Sequence, residues 1–205
     1  QYLEVAGNCA RQYVARRDKY VPGGQMWVTE SGDAGCGGNT WASTFVDVFR
    51  TLNELGDFAT VTDGIIFHNT LASSDYGFLK HGTFLPRPNY FAVLLWNRLM
   101  GETVYATGEE IREGAHVYAH SRKDGKEGVV YLIINNSSEA TTVELPKDAV
   151  RYTLSGNGKL RSRTMLLNGR ELVLGENDEL PCLQGEEQKA GTIEVAAQTC
   201  TFFVL

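Results

Sequence analysis

Glu30 is where residue type and local setting first suggest chemistry. It closes a short apolar, β-prone run, Gln25-Met26-Trp27-Val28-Thr29, and opens a loop, Ser31 to Asn39, that holds four glycines. A second apolar run, Gly64-Ile65-Ile66-Phe67, also ends in polar residues, His68-Asn69-Thr70. A carboxylate at a strand end beside a glycine-rich loop has the access that a nucleophile or general acid needs. Plainer readings stand beside this one. Glu30 could be a solvated loop residue or the partner of a helix dipole. His68 reads as a substrate ligand, as an orienter of Glu30 or as a satisfied structural histidine.

The elements that must position these residues follow from periodicity. Residues 2–19 carry Leu3, Ala6, Ala10, Tyr13 and Val14 at helical spacing, and Pro22-Gly23-Gly24 turns the chain. After the glycine loop, Trp41, Phe45, Val48, Phe49, Leu52 and Leu55 mark a second amphipathic helix, with Gly56 as its expected stop. Pro88 suits a first helical position and opens a third, strongly apolar helix closing at Gly101. Trp41, Trp96, Tyr90 and Phe91 lie at helical spacing and read as core.

The period then changes. Segments 103–107, 115–121, 128–134, 141–145, 150–154, 164–167, 171–174, 191–195 and 200–205 are short and β-rich, with turns such as Lys123-Asp124-Gly125 and Asn168-Gly169 between them. Strands alternating with helices imply parallel pairing through right-handed crossovers, whereas the later run argues a β-sandwich. Two parallel strands cannot bury both faces of a sheet. The expected fold is therefore α/β plus all-β: residues 1–102 as the C-terminal strands and helices of a (β/α)8 TIM barrel, and 103–205 as a β-sandwich packed close against it. In such barrels the site lies where strands run into helices, and a carboxylate there can serve glycoside hydrolysis as nucleophile or acid.

Composition narrows the partners. A hydrophobic fraction of 42% and a charged fraction of 21% are those of a globular domain. The net charge of −6 and the lack of a basic block argue against nucleic acid, and no run is long enough to span a bilayer. The chain opens without Met inside a helical pattern, so a further part is expected upstream or on another chain. Cys9, Cys36, Cys182 and Cys200 make no disulfide framework, although Cys182 and Cys200 could pair. His116 and His120 share a strand face with no third ligand in the pattern, so no metal is expected. The run Glu109 to Glu113 reads as a solvated turn, and the sequons at Asn135 and Asn136 as chance.

Several motifs in one order carry a resemblance. Trp27-Val28-Thr29-Glu30-Ser31-Gly32, then Gly37-Gly38, then Ser43-Thr44-Phe45-Val46-Asp47 resemble the nucleophile segment of the heparanase and β-glucuronidase family of retaining glycoside hydrolases (family 79 type). So do Ser74-Asp75-Tyr76-Gly77-Phe78-Leu79, Phe84-Leu85-Pro86-Arg87-Pro88-Asn89-Tyr90-Phe91 and Leu94-Leu95-Trp96-Asn97-Arg98-Leu99-Met100-Gly101. The match covers residues 25–102 and continues more loosely to Phe202-Phe203-Val204-Leu205. It implies a C-terminal half of such an enzyme, acting on a glucuronide or uronic-acid-containing glycan.

Within it, Glu30 matches the nucleophile, Gly37 and Gly38 the glycine pair whose N–H groups hold a uronate carboxylate, and Tyr76 the tyrosine that donates to that carboxylate. Read as bare residues, the glycines are equally an ordinary turn and Tyr76 core or rim. Cys36 replaces an aromatic, and His68-Asn69, a further pair of candidate substrate contacts, stands where relatives often carry Arg-Gln. The second carboxylate that a retaining mechanism needs has no candidate here, since Asn53-Glu54 ends a helix rather than a strand. The acid/base is thus expected from an N-terminal half of the barrel, as a partner segment. No cofactor is implied. A relative of the same plan acting on a neutral sugar, or a non-catalytic carbohydrate-binding fragment, are the competing readings.

Overall fold

The computed structural model describes residues 2–108 and 114–205; the Glu109–Glu113 turn expected above lies outside the described residues. In chain order the first half runs α1 (Glu4–Tyr20), β1 (Val28–Ser31), α2 (Phe45–Val61), β2 (Ile66–His68) and α3 (Pro88–Leu99). The second half is β3 (Met100–Tyr105), β4 (His116–Arg122), β5 (Val129–Asn135), β6 (Thr141–Leu145), β7 (Ala149–Ser155), β8 (Leu166–Leu167), β9 (Arg170–Glu171), β10 (Glu186–Gln188), β11 (Gly191–Val195) and β12 (Thr199–Val204). A 3₁₀ turn at Glu176–Asp178 precedes β10. Mixed helix and strand followed by an almost wholly β run is what the change of period predicts.

β1 and β2 pair in parallel, with Val28 opposite Ile66 and Ser31 opposite His68. Two residues between these pairs on β1 thus match one on β2, so the pairing carries a bulge at Thr29-Glu30. A bulge breaks the alternation of side chains and re-aims those beside it. Thr29 and Glu30 are both exposed, while Val28 and Ser31 are half-buried. Trp27, Ile65 and Phe67 are exposed as well, Trp27 resting on Phe67 with ring centroids 6.2 Å apart.

The eight-stranded sheet has the order β3-β4-β5-β12-β7-β8-β9, with β10 added beside β7, and β11-β6 forms a separate antiparallel ribbon. Both faces are covered, and successive residues divide between them. Leu132, Ile134 and Phe202 enter a core built with Val48, Leu52, Phe91 and Leu95 of α2 and α3. Ile133 and Phe203 turn the other way, onto Leu145 and Val195 of the ribbon. One continuous apolar core therefore joins the helices to the sheet.

Gly56 does not end α2; the helix runs five residues further, to Val61. The glycine serves close packing instead. A Cβ there would stand 2.4 Å from Cγ and Cδ2 of Tyr118 in β4. Tyr118 in turn donates its hydroxyl to Asn53 Oδ1 at 2.8 Å, and burial pushes its phenol pKa up. The helix also starts later than the apolar stripe suggests. Trp41 lies before it, half-buried edge-on to Tyr2. β10 was not anticipated because Glu186-Glu187-Gln188 carries no apolar alternation.

His116 bonds Glu4 through Nε2, and His120 bonds the Gly101 carbonyl through Nδ1 at 2.8 Å. The four cysteines are free thiols, so Cys182 and Cys200 are not paired, and Cys200 is fully buried. Asn135 is buried, its amide held by the carbonyls of Glu139, Val195 and Ala196, which closes that sequon to modification. No helix among the described residues is long and apolar enough to cross a membrane.

Gly56→Ala weighs helix propensity against space. Alanine gains about 1 kcal/mol in a helix interior, whereas its methyl overlaps the Tyr118 ring. Overpacking decides, and urea unfolding should show a net loss of about 1–3 kcal/mol. A variant more stable than the parent would show that α2 does not approach β4 so closely.

Candidate functional site

The end of β1 is fixed from below by a buried polar cluster. Arg50, on α2, donates Nε to Asp47 Oδ1 at 2.7 Å and an NH to Glu54 Oε2 at 2.8 Å. These residues lie at positions i, i+3 and i+7, one stripe of the helix, and all three are buried. The pairing with two carboxylates outweighs burial and raises the Arg50 pKa, so the charge is retained. Glu54 also accepts Ser31 Oγ at 2.5 Å, and Asp47 accepts Asn89 Nδ2 of α3 at 2.8 Å and the Ser43 amide at 3.0 Å. Ser31 is thereby turned toward α2. Through the bulge, its neighbour Glu30 faces the open side.

There the Glu30 carboxylate accepts a hydrogen bond from Asn69 Nδ2 at 2.8 Å. Asn69 immediately follows β2, so the side chains at two adjacent strand ends meet. The same amide lies 3.4 Å from the Tyr76 hydroxyl, which accepts from it and has no acceptor for its own hydrogen among the described residues. Tyr76 is buried against the glycine loop. Its ring lies 3.8 Å from where a Gly32 Cβ would be and 2.9 Å from where a Gly38 Cβ would be, so a side chain at 38 would expel it. Gly37 and Gly38 take left-handed φ values of 106° and 84°, and a Cβ on Gly37 would meet only open space. Glu30, Asn69, Tyr76 and Gly38 are thus drawn into one cluster, with Gly37 on its open rim.

His68 is not in it. Neighbouring strand residues face opposite ways, and His68 points to the α2 side, stacked on Phe78 at 3.9 Å with Nε2 3.4 Å from the Tyr76 carbonyl. Burial, with a smaller contribution from Arg50, lowers its pKa and favours the neutral ring. It lines a cavity of about 350 Å³ with Ser31, Glu54 and Phe78. Orienting Glu30 falls to Asn69.

Two further residues position the cluster and were not singled out from the sequence. Arg87, buried between Pro86 and Pro88, directs one terminal NH at the carbonyls of Ser74, Asp75 and Gly77 and at Ser43 Oγ. It thereby grips the turn that carries Tyr76. Asp33 is buried and accepts the Asn39 amide at 2.7 Å, closing the glycine loop. A charged residue flanked by prolines was the available signal for Arg87. Asp33 had none beyond lying in the loop. Glu54 is engaged by Arg50 and Ser31, and no group of three or more potential metal ligands converges among the described residues.

No family model matches the chain. Its sequence is 31% identical to heparanase-like protein 1 of Arabidopsis thaliana, over 89% of this chain and 41% of that protein. It is 32% identical to baicalin-β-D-glucuronidase of Scutellaria baicalensis, over 86% of this chain and 35% of that protein. Among solved structures, a 4-O-α-L-rhamnosyl-β-D-glucuronidase from Fusarium oxysporum superposes with a TM-score of 0.68 at 14% identity, covering 98% of this chain and 50% of that one. At that identity the likeness is one of fold. The chain spans well under half the length of the two curated relatives it matches here.

Arg50→Met tests the foundation of the site. It leaves Asp47 and Glu54 as buried carboxylates without a counter-charge, and should cost about 3–5 kcal/mol in urea unfolding. Unchanged stability would mean that the cluster does not hold α2 to β1.

Proposed function

We propose, on the premise that this chain is a relative of heparanase-like and β-glucuronidase proteins over most of its length, that it is the C-terminal part of a retaining β-glycoside hydrolase acting on glucuronides or uronic-acid-containing glycans. The observation that carries this is the Glu30 carboxylate, exposed at the end of a parallel strand and held by Asn69 from the next strand. In this reading residues 1–102 complete a (β/α)8 barrel and 103–205 are its β-sandwich. The exposed Phe67 on a two-stranded parallel sheet, with exposed Trp27 and Ile65 immediately before its two strands, supports that, because such a sheet needs further strands to bury its apolar side chains.

Glu30 attacks the anomeric carbon as the bond to the leaving oxygen breaks, and that oxygen takes a proton from an acid/base carboxyl. Water, deprotonated by the same carboxyl, then displaces Glu30 with net retention. The acid/base comes from the N-terminal part of the barrel. Glu54 does not supply it, being bound to Arg50 and Ser31. Asn69 holds Glu30 in line for attack. The N–H groups of Gly37 and Gly38 and the free hydroxyl hydrogen of Tyr76 receive the uronate carboxylate. The neutral-sugar reading lacks a role for that donor set, and the non-catalytic reading lacks one for the Glu30–Asn69 pair.

In the complete protein, Glu30→Gln should lower aryl β-glucuronide turnover by at least about 10³-fold with ligand binding largely kept, and the parent should prefer the glucuronide to the aryl xyloside by about 10²-fold or more. Turnover surviving the substitution ends the nucleophile assignment; equal rates on both sugars end the uronate one. Asn69→Asp removes the amide donor that holds Glu30 and sets a like charge beside it, so kcat/KM on the aryl β-glucuronide should fall by about 10²-fold. An unchanged kcat/KM would separate Asn69 from Glu30.

A further inference from the structure

A cavity of about 530 Å³ opens where the residues leading into α1, the start of α2 and the segment between β7 and β8 meet. Hydrogen bonds tie its walls to one another. The Leu3 carbonyl accepts Asn53 Nδ2 of α2 at 2.9 Å, and the Leu160 carbonyl accepts the Val46 amide at 2.8 Å. The volume suits a small molecule, since ligand pockets run to roughly 300–1,000 Å³.

The lining is mostly aromatic and aliphatic. Tyr2 and Trp41 meet edge to face with ring centroids 5.9 Å apart, and Leu3, Phe49 and Leu160 extend the apolar wall. Arg50 reaches the cavity as well, but its three guanidinium nitrogens donate to Asp47, Glu54 and Thr51. Arg161 also lines it and is exposed, with no carboxylate within ion-pair distance among the described residues.

His116, the first residue of β4, completes the wall and is only 5% exposed. Its Nε2 lies 2.5 Å from Oε1 of Glu4, which lines a different cavity. Nδ1 is buried without a hydrogen-bond partner among the described residues. An ionised carboxylate only accepts, so Nε2 carries the proton, and Nδ1 of the neutral imidazole presents a lone pair. A buried acceptor left unpaired is costly, so the cavity calls for a donor.

We propose that this cavity binds a flat aromatic molecule bearing a hydroxyl group, its ring against Tyr2, Trp41 and Phe49 and its O–H donated to His116 Nδ1. Ring-to-ring contacts favour such a ligand over an aliphatic one of equal volume. The Arg161 guanidinium stacks on the ring from the exposed side. Glu30, Asn69, Tyr76 and Gly38 are not among the lining residues. The site therefore goes beyond the glycosidase reading and does not depend on it.

The test is equilibrium dialysis of the complete protein against 2-naphthol and against its methyl ether, which keeps the rings and lacks the donor. The parent should bind naphthol and hold the ether about tenfold more weakly, the worth of one hydrogen bond. His116→Leu should erase that difference by weakening naphthol alone; a merely structural role for His116 would weaken both ligands together. Leu160→Trp fills the cavity while keeping the backbone bond to Val46, and should abolish binding of both. Circular dichroism and a urea midpoint establish that each variant folds. Should Leu160→Trp not fold, the His116→Leu comparison decides alone. The proposal is overturned by a parent that does not bind naphthol, as when an upstream part of the barrel or ordered water fills the cavity. Equal affinity for naphthol and ether, or a folded Leu160→Trp variant that binds like the parent, overturns it too. A parent that binds naphthol in this way yet is inert on aryl glucuronide leaves the site standing and removes the hydrolase reading.

Discussion

Arg50, shared between Asp47 and Glu54 beneath the end of β1, is the contact on which the rest of the site depends. Burying three charges is costly, and their mutual attraction offsets the cost only when every partner is in place. Here each carboxylate has a second task. Asp47 reaches α3 through Asn89 and the approach to α2 through Ser43, and Glu54 reaches β1 through Ser31. A shift of any one element would strand a charge, so α2, α3 and β1 are fixed in one arrangement. Ser31 is pinned inward as a result, and the bulge before it leaves Glu30 facing out.

A second anchor does for the tyrosine what Arg50 does for the glutamate. The loop from Thr70 to Phe84 has little regular structure of its own, yet Tyr76 must hold still. Arg87 supplies the rigidity by donating to backbone carbonyls on both sides of Tyr76, and Gly32 and Gly38 supply the space. Both anchors are arginines, whose planar, permanently charged heads serve several acceptors at once. The cluster is thus assembled from loops but held by helices, as functional loops on a rigid scaffold are.

The β part is bound to the helices by the same core that holds the sheet together. Tyr118 fills the space left by Gly56, while Leu132, Ile134 and Phe202 interdigitate with Leu52 and Leu95. At the opposite end of α2, the carbonyls of Leu160 and Ser162 cap its first amides. Sheet and helices therefore brace α2 at two levels, and with it the strand end that carries Glu30.

Much of this was legible in the sequence. The three helices, the change of period near residue 103 and Glu30 at a strand end follow from spacing and residue type, because hydrophobic periodicity is set locally and the core only ratifies it. The motifs around Glu30, Gly37-Gly38 and Tyr76 carried the family resemblance for the same reason: short segments keep their order whatever they touch. Contacts across distance were not legible. Gly56 looked like a stop because nothing near it in sequence announces the Tyr118 ring. His68 and Asn69 looked equivalent until the strand turned one inward and the other toward Glu30. Glu54 read only as the end of a helix and Arg50 carried no signal, because only packing decides whether a charge on a helix meets water or another charge. Sequence thus determined which residues stand at strand ends and in loops. Tertiary structure alone decided which of them face each other, since direction is fixed by a bulge, a buried ion cluster and an arginine-bound turn whose partners lie tens of residues apart.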